Sequence, residues 1–211
     1  LMQLREQGKS RPDDPLAKYL PEYAAMRVYA GKDAGGQPRT VPAERPISVR
    51  DILRHTAGFV YGAGPTPAHD AYVAADPLAL TIPLAEASKR LAGVPLLYQP
   101  GTQWEYSIAV DVQAALVEKL SGQPFADYVR THIFEPLKMT DTAWRQPVTR
   151  LPRFAAMNVK ADGKLVQQDA ATARKLNFED HALTPGGFGL ASTLDDYSRF
   201  ARMLLGKGEL D

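Results

Sequence analysis

The sequence predicts a mainly helical region with at most short strands or a hairpin. Two segments, 109–120 and 192–205, carry apolar side chains at helical spacing. The clearest strand signal is the dipeptide Asp162-Gly163, which is typical of a two-residue hairpin turn. Helix signals therefore outnumber strand signals.

The composition is that of a soluble globular protein without a transmembrane segment. Of 211 residues, 45% are apolar and 23% charged. The 25 basic and 24 acidic residues create no general field that would attract nucleic acid. The absence of cysteine excludes disulfides and thiolate metal sites, and it is compatible with either the cytoplasm or the periplasm.

Both ends of the sequence suggest a fragment. Leu1, Met2 and Leu4 resemble the last turns of an amphipathic helix that stops at Gly8. The other end, LLGKGELD, breaks off just after a helix stop. We therefore expect a domain truncated at both ends.

The first half predicts short elements. Residues 11–23 indicate helical turns separated by bends, and residues 31–46 an exposed loop or a small hairpin. Ser48 and Asp51 have the spacing of a capping box, which predicts a short helix to about His55. The apolar stretch between Gly58 and Pro67 is irregular and typical of a loop that lines a site.

The second half predicts longer helices. They cover about 84–91, 109–120 with Asp111 away from the buried face, and 124 to before Pro136. Residues 145–185 are poorly periodic apart from the hairpin. Ser192 and Asp195 predict the cap of the last helix, whose expected buried stripe is Leu194, Tyr197, Phe200, Ala201, Leu204 and Leu205.

Four stretches together resemble the serine β-lactamase-like superfamily, which includes class C β-lactamases, family VIII carboxylesterases and penicillin-binding-protein-like enzymes. They are ISVRDILRHTAGFVYG, QPGTQWEYSIAVDV, FADYVRTHIFEPLKMTDTAW and GGFGLASTLDDYSRFARMLL, in the family's order. The resemblance implies an α+β fold, an antiparallel sheet flanked by helices. Residues 1–211 would be the central, mostly helical part of one such domain.

The resemblance also implies that two catalytic motifs lie outside this sequence. The family's nucleophile is the serine of a Ser-x-x-Lys motif, expected about ten residues before Leu1. No Ser-x-x-Lys occurs in the chain, and the later Lys-Thr-Gly or His-x-Gly segment is also absent. The expected partners are therefore the missing N- and C-terminal parts of the same domain, and the chain alone is expected to be inactive.

Tyr106 matches the catalytic tyrosine of the family. A phenol with a pKa near 10 needs a neighbouring cation to act as a base at neutral pH. The resemblance implies that the motif lysine supplies this charge, and the N-terminus of the helix from Ala109 would add modest stabilisation. The alternative is an aromatic anchor packed under a loop.

Four further positions are candidate substrate contacts. Ile108 stands where lactamases of the family have asparagine, which favours the esterase branch because isoleucine has no hydrogen-bonding side chain. Phe59 and Tyr61 are expected to form an apolar wall, or else to pack under their loop. Gly187, between Gly186 and Gly189, indicates a tight turn near the mouth of the site.

No metal or cofactor is expected. The four histidines, His55, His69, His132 and His181, lack metal-binding spacing and suggest structural or surface groups. Trp104 suggests a core residue, and Asp111 a cap or pairing group near its helix start.

The resemblance implies a serine hydrolase, and Ile108 favours a carboxylesterase acting on small-molecule, short-chain esters. Alternatives are a β-lactamase, which would act on a lactam, and a D-amino-acid peptidase or amide hydrolase. A noncatalytic penicillin-binding-like or interaction module is an alternative of another class.

Overall fold

A computed structural model describes residues 1–167 and 170–209 of the chain. The chain divides into two compact units. The first comprises Leu1–Phe125 and Ala182–Gly187, and the second comprises Ala126–His181 and Phe188–Asp211. The described residues contain α-helices and two small antiparallel sheets, which confirms the α+β class. That the chain is the helical part of a larger domain stays a prediction.

The first unit contains five helices and one hairpin within its described residues. The helices are α1 (Met2–Glu6), α2 (Val49–Arg54), α3 (Pro67–Ala75), α4 (Leu84–Ala92) and α5 (Ala109–Ser121). Short 3₁₀ turns cover Leu16–Lys18 and Pro21–Tyr23, and the hairpin pairs β1 (Arg27–Lys32) with β2 (Pro38–Pro42). The hairpin confirms one of the two alternatives predicted for residues 31–46.

Helix α5 is central to the core of the first unit. It packs against α2 and α4, and Ala109, Val112 and Leu116 are almost fully buried. The hairpin joins the same core because Val28 is buried and forms an isolated parallel bridge to Leu96. Burial of this apolar surface is the main stabilising contribution to the unit.

Local signals predicted most helix ends in this unit correctly. Gly8 and Gly122 take left-handed backbone conformations just after α1 and α5. Ser48 and Asp51 form both hydrogen bonds of the capping box at α2. Residues 58–66 are irregular as predicted, but α3 was not predicted. Its apolar spacing is weak, and it is stabilised instead by the burial of Ala68 and Tyr72.

The second unit contains shorter elements around a small apolar cluster. They are α6 (Phe125–Val129), a π-helical turn (Arg130–Phe134), a 3₁₀ helix (Val148–Arg153), β3 (Asn158–Ala161), β4 (Lys164–Gln167), α7 (Ala170–Phe178) and α8 (Leu194–Leu205). The first residue of α6, Phe125, is also the last residue of the first unit's main segment. The hairpin of β3 and β4 turns at Asp162 and Gly163, both with positive φ, as predicted. Helix α7 was not predicted.

The prediction for α8 was wrong in two respects. Leu194 and Leu205 are each 85% exposed, and only Phe200 and Met203 pack against the cluster of Phe134, Leu137 and Met139. The helix is capped by Thr193, whose hydroxyl accepts the N–H of Asp196, so the cap lies one residue later than predicted. Within residues 1–167 and 170–209, no helix has the length and apolar character to cross a membrane.

Candidate active site

Two loops of the first unit are joined by backbone hydrogen bonds that set the position of residue 106. The N–H groups of Leu97, Gly101, Glu105 and Ile108 donate to the carbonyls of Gly58, Thr56, His55 and Val60 at 2.7, 2.7, 2.9 and 3.4 Å, respectively. Gly58 has φ +89°, and a Cβ there would lie 2.2 Å from the Tyr98 carbonyl oxygen. Only glycine therefore permits this close approach.

Tyr106 lies on this joined segment, just before α5. Its side chain is 56% exposed, and its ring stacks on His55 with centroids 5.1 Å apart and planes at 26°. Tyr61 meets the same ring edge-on at 6.0 Å. Within the described part of the chain, no hydrogen bond or ion pair involves the Tyr106 hydroxyl. Its ring is thus held while its oxygen is available.

The rings around Tyr106 form a row of five aromatic side chains: Trp104, His55, Tyr106, Tyr61 and Tyr72. The outer pairs, Trp104 with His55 and Tyr61 with Tyr72, have centroids 6.3 and 6.2 Å apart. Burial raises the pKa of Tyr61, and the nearby Asp111 and Tyr106 raise it further, so Tyr61 stays a neutral phenol. Tyr61 and Trp104 are both exposed, so the surface beside Tyr106 is aromatic.

Two of the predicted substrate contacts lie in the core and not on this surface. Phe59 and Ile108 are each 2% exposed. Phe59 packs edge-on against Tyr23 at 5.7 Å, which is the packing alternative. The buried side chain of Ile108 does not reach a surface from which it could contact substrate. The prediction that Trp104 lies in the core was also wrong, because its side chain is exposed.

Asp111 joins the start of α5 to the Gly186-Gly187 segment. Its carboxylate accepts the backbone N–H groups of Gly186 at 2.8 Å and Gly187 at 3.3 Å. The residue is 4% exposed, so its predicted place away from the buried face was wrong. Burial raises its pKa, and the two glycine amides counteract this only in part. Gly187 is thus held against Asp111, which lies five residues after Tyr106 in the sequence.

The whole of this chain, residues 1–211, matches the family model described as beta-lactamase. The chain belongs to the beta-lactamase family. A relative from Mycobacterium tuberculosis, protein Rv1367c, is 33% identical over 229 residues, which cover 100% of this chain and 51% of the relative. Esterase EstB from Burkholderia gladioli is 30% identical, covering 94% of this chain and 52% of the relative.

Solved structures support the same family. Simvastatin synthase (LovD) from Aspergillus terreus superposes with a TM-score of 0.79 at 28% identity, covering 99% of this chain and 51% of the other. The chain spans about half the length of the relatives it matches. The beta-lactamase family as represented by these relatives contains hydrolases and acyltransferases.

The sequence did not predict the contact between His55 and Tyr106. His55 was expected to be a structural or surface group, but its ring faces Tyr106 and Ser107. Its position directly after the capped helix α2, within one of the four matching stretches, was the available signal. Among the described residues, no three His, Asp or Glu side chains converge to hold a metal ion.

Proposed function

We propose that the protein containing this chain is a carboxylesterase that hydrolyses short-chain esters through a serine, a lysine and Tyr106. The observation that carries the proposal is the placement of Tyr106. Its ring is fixed between His55 and Tyr61, and its hydroxyl has no partner among the described residues. The serine and the lysine belong to a Ser-x-x-Lys motif that this sequence does not contain.

In the proposed reaction Tyr106, as phenolate, takes the proton of the serine hydroxyl while the serine oxygen attacks the ester carbonyl. The bond from the carbonyl carbon to the alcohol oxygen breaks, and that oxygen leaves with the proton from Tyr106. Water then attacks the acyl-serine, gives its proton to Tyr106, and the proton returns to serine. The cycle needs no redox step and no metal.

An ester substrate is favoured over a lactam by the chemistry around Tyr106. Ile108 replaces the asparagine of lactamases, and its buried side chain gives the site no amide, whereas the exposed surface beside Tyr106 includes the rings of Tyr61 and Trp104. EstB is by its name an esterase, which supports the same substrate class. Transfer of the acyl group to an alcohol instead of water is a second candidate, because this exposed aromatic surface suits an apolar acceptor.

The test is Tyr106→Phe in the protein that contains the complete domain. General-base catalysis contributes about 10² to 10⁴-fold, so kcat for p-nitrophenyl butyrate is expected to fall by that order. The change leaves the ring and its packing, so the melting temperature is expected to move by only a few degrees. Tyr197→Phe, which removes a phenol of similar exposure, is the matched control.

Four further results distinguish the alternatives. A Tyr106→Phe variant that keeps more than about a tenth of the parental kcat contradicts the base role. Nitrocefin hydrolysis as efficient as ester hydrolysis contradicts the esterase assignment in favour of a lactamase. Addition of 1-butanol separates hydrolysis from acyl transfer, because transfer yields butyl butyrate in place of butyrate. A protein that turns over none of these substrates contradicts the esterase assignment and leaves the amide hydrolase and the noncatalytic module as the alternatives.

A further inference from the structure

We propose that His55 is a positioning residue for Tyr106, and that its ring holds the Ser107 amide beside Tyr106 only while the imidazole is neutral. The inference rests on the proposed function of Tyr106 and adds a pH-dependent control to the same site. It gives a specific role to a residue that the proposed chemistry does not itself use.

His55 contacts three successive residues. Its carbonyl oxygen accepts the N–H of Glu105 at 2.9 Å, and its ring nitrogen Nδ1 accepts the N–H of Ser107 at 3.2 Å. Between them, its ring stacks on Tyr106. The residue ends α2 in the left-handed conformation, with φ +56° and ψ +37°. One side chain and its carbonyl thus hold both neighbours of Tyr106 and its ring.

The Ser107 amide defines the protonation state of the ring. Nδ1 must be unprotonated to accept an N–H, so the proton of the neutral ring is on Nε2. An imidazolium would direct an N–H of its own at the Ser107 N–H, and this hydrogen bond would be lost. Ser107 is buried, and its hydroxyl lies 3.2 Å from Nδ1 as well.

The groups that face the ring favour the neutral form. They are the Tyr106 phenol, the Trp104 indole and the Ser107 hydroxyl. Among the described residues, no carboxylate forms an ion pair with His55, and Asp51 in α2 is neutralised by Arg45. Burial lowers the pKa of His55 below its ordinary value of 6.5. The hydrogen bond from the Ser107 N–H to Nδ1 is therefore made at neutral pH and lost in acid.

Two variants separate the hydrogen bond from the ring contact. His55→Asn keeps an acceptor, Oδ1, tolerates the left-handed backbone and does not titrate. His55→Phe keeps a ring without an acceptor. In the protein with the complete domain, His55→Asn is expected to retain kcat at pH 8 within about threefold, and His55→Phe to lose about 10- to 100-fold with little change in KM.

The pH profile distinguishes positioning from a merely structural role. Below the pKa of His55, the slope of log kcat plotted against pH is expected to be one unit steeper for the parent protein than for His55→Asn. His132→Asn removes another histidine that stacks on a tyrosine, Tyr128, and is expected to leave the profile unchanged. An unchanged acid limb in His55→Asn overturns the proposal.

A measurement that needs no turnover tests the contact directly. The Ser107 amide and the His55 ring nitrogens, followed by NMR from pH 4.5 to 8, are expected to titrate together, with Nδ1 unprotonated at the upper end. If they do so in a protein without esterase activity, the proposed function fails and the positioning stands. A Ser107 amide that does not follow His55 overturns the positioning even in an active enzyme.

Discussion

Asp111 is a buried carboxylate whose partners are backbone amides of Gly186 and Gly187. Ionised carboxylates are expensive to bury, and hydrogen bonds from N–H groups offset this cost. Gly186 must lack a Cβ, because one would lie 2.4 Å from the Val110 carbonyl oxygen. The glycine pair can therefore approach α5 closely enough to place its amides on Asp111.

Removal of this carboxylate is expected to destabilise the first unit. Asp111→Ala leaves two amides without their acceptor and is expected to lower the free energy of unfolding by about 1 to 3 kcal/mol. Asp111→Asn keeps an acceptor oxygen and is expected to cost less. Urea unfolding monitored by circular dichroism measures both, and a loss in Asp111→Ala no larger than in the exposed control Asp70→Ala would contradict the role.

The pH dependence of the free energy of unfolding is a second test of the role of Asp111. Its pKa in the folded protein is raised above the ordinary value of 3.8, so the folded state binds the proton more strongly than the unfolded chain does. The stability contributed by the protonated form is therefore lost as pH rises from about 3.8 through the folded pKa. Asp111→Asn is expected to lack this decline, and an unchanged decline in that variant would assign it to another group.

At the scale of elements, the cap of α8 is chosen by tertiary hydrogen bonds. Ser192 with Asp195 and Thr193 with Asp196 both have the spacing of a cap. The carboxylate of Asp196 is buried, and it accepts the N–H of Asp141 at 2.7 Å and the hydroxyl of Thr142 at 2.9 Å. Asp195 is exposed. A cap formed by Ser192 and Asp195 would leave the Asp141 N–H and the Thr142 hydroxyl without the Asp196 carboxylate. Thr193 and Asp196 therefore form the cap.

This cap register predicts unequal effects of two adjacent substitutions. Asp196→Ala is expected to lower the free energy of unfolding by about 1 to 3 kcal/mol, because two partners lose a buried acceptor. Asp195→Ala changes an exposed side chain, and its effect is expected to stay within about 0.5 kcal/mol. Thermal unfolding of both variants tests the order, and the reverse order would support the Ser192 cap.

At the scale of the whole molecule, helix α8 exposes an apolar side to solvent. Leu194 and Leu205 are each 85% exposed, and Tyr197 and Leu204 are 63% and 60% exposed. An apolar side of this kind is uncommon on an isolated soluble protein. The relatives are about twice as long as this chain, so they contain further residues to which this surface could be complementary.

The 211-residue chain by itself is expected to bind the dye ANS without hydrolysing esters. Leu194→Gln with Leu205→Gln should lower the dye fluorescence and leave the melting temperature nearly unchanged, because both side chains are already in solvent. Gln substitution of Arg199 and Arg202, two polar residues of the same helix, is the control. Sustained turnover of p-nitrophenyl acetate by this chain would contradict the assignment of the nucleophile to a missing Ser-x-x-Lys motif.

The sequence by itself determined the features that depend on residues close together in the chain. Examples are the capping box of α2, the glycine ends of α1 and α5, and the Asp162-Gly163 turn, which each involve neighbours within one or two helical turns or one hairpin. The family and the choice of Tyr106 as the candidate base also followed from contiguous motifs. Whether Tyr106 acts as a base stays a prediction.

Only the tertiary structure decided which side chains meet. His55 and Ser107 are 52 residues apart, and Asp111 and Gly186 are 75 apart, so no local periodicity encodes either contact. Ile108 and Phe59 were expected at the surface of the site but lie in the core. Their burial also depends on residues distant in the sequence, which local patterns do not reveal. Helices α3 and α7, with weak apolar stripes, depend on such distant partners, because packing and not helix propensity supplies most of a short helix's stability.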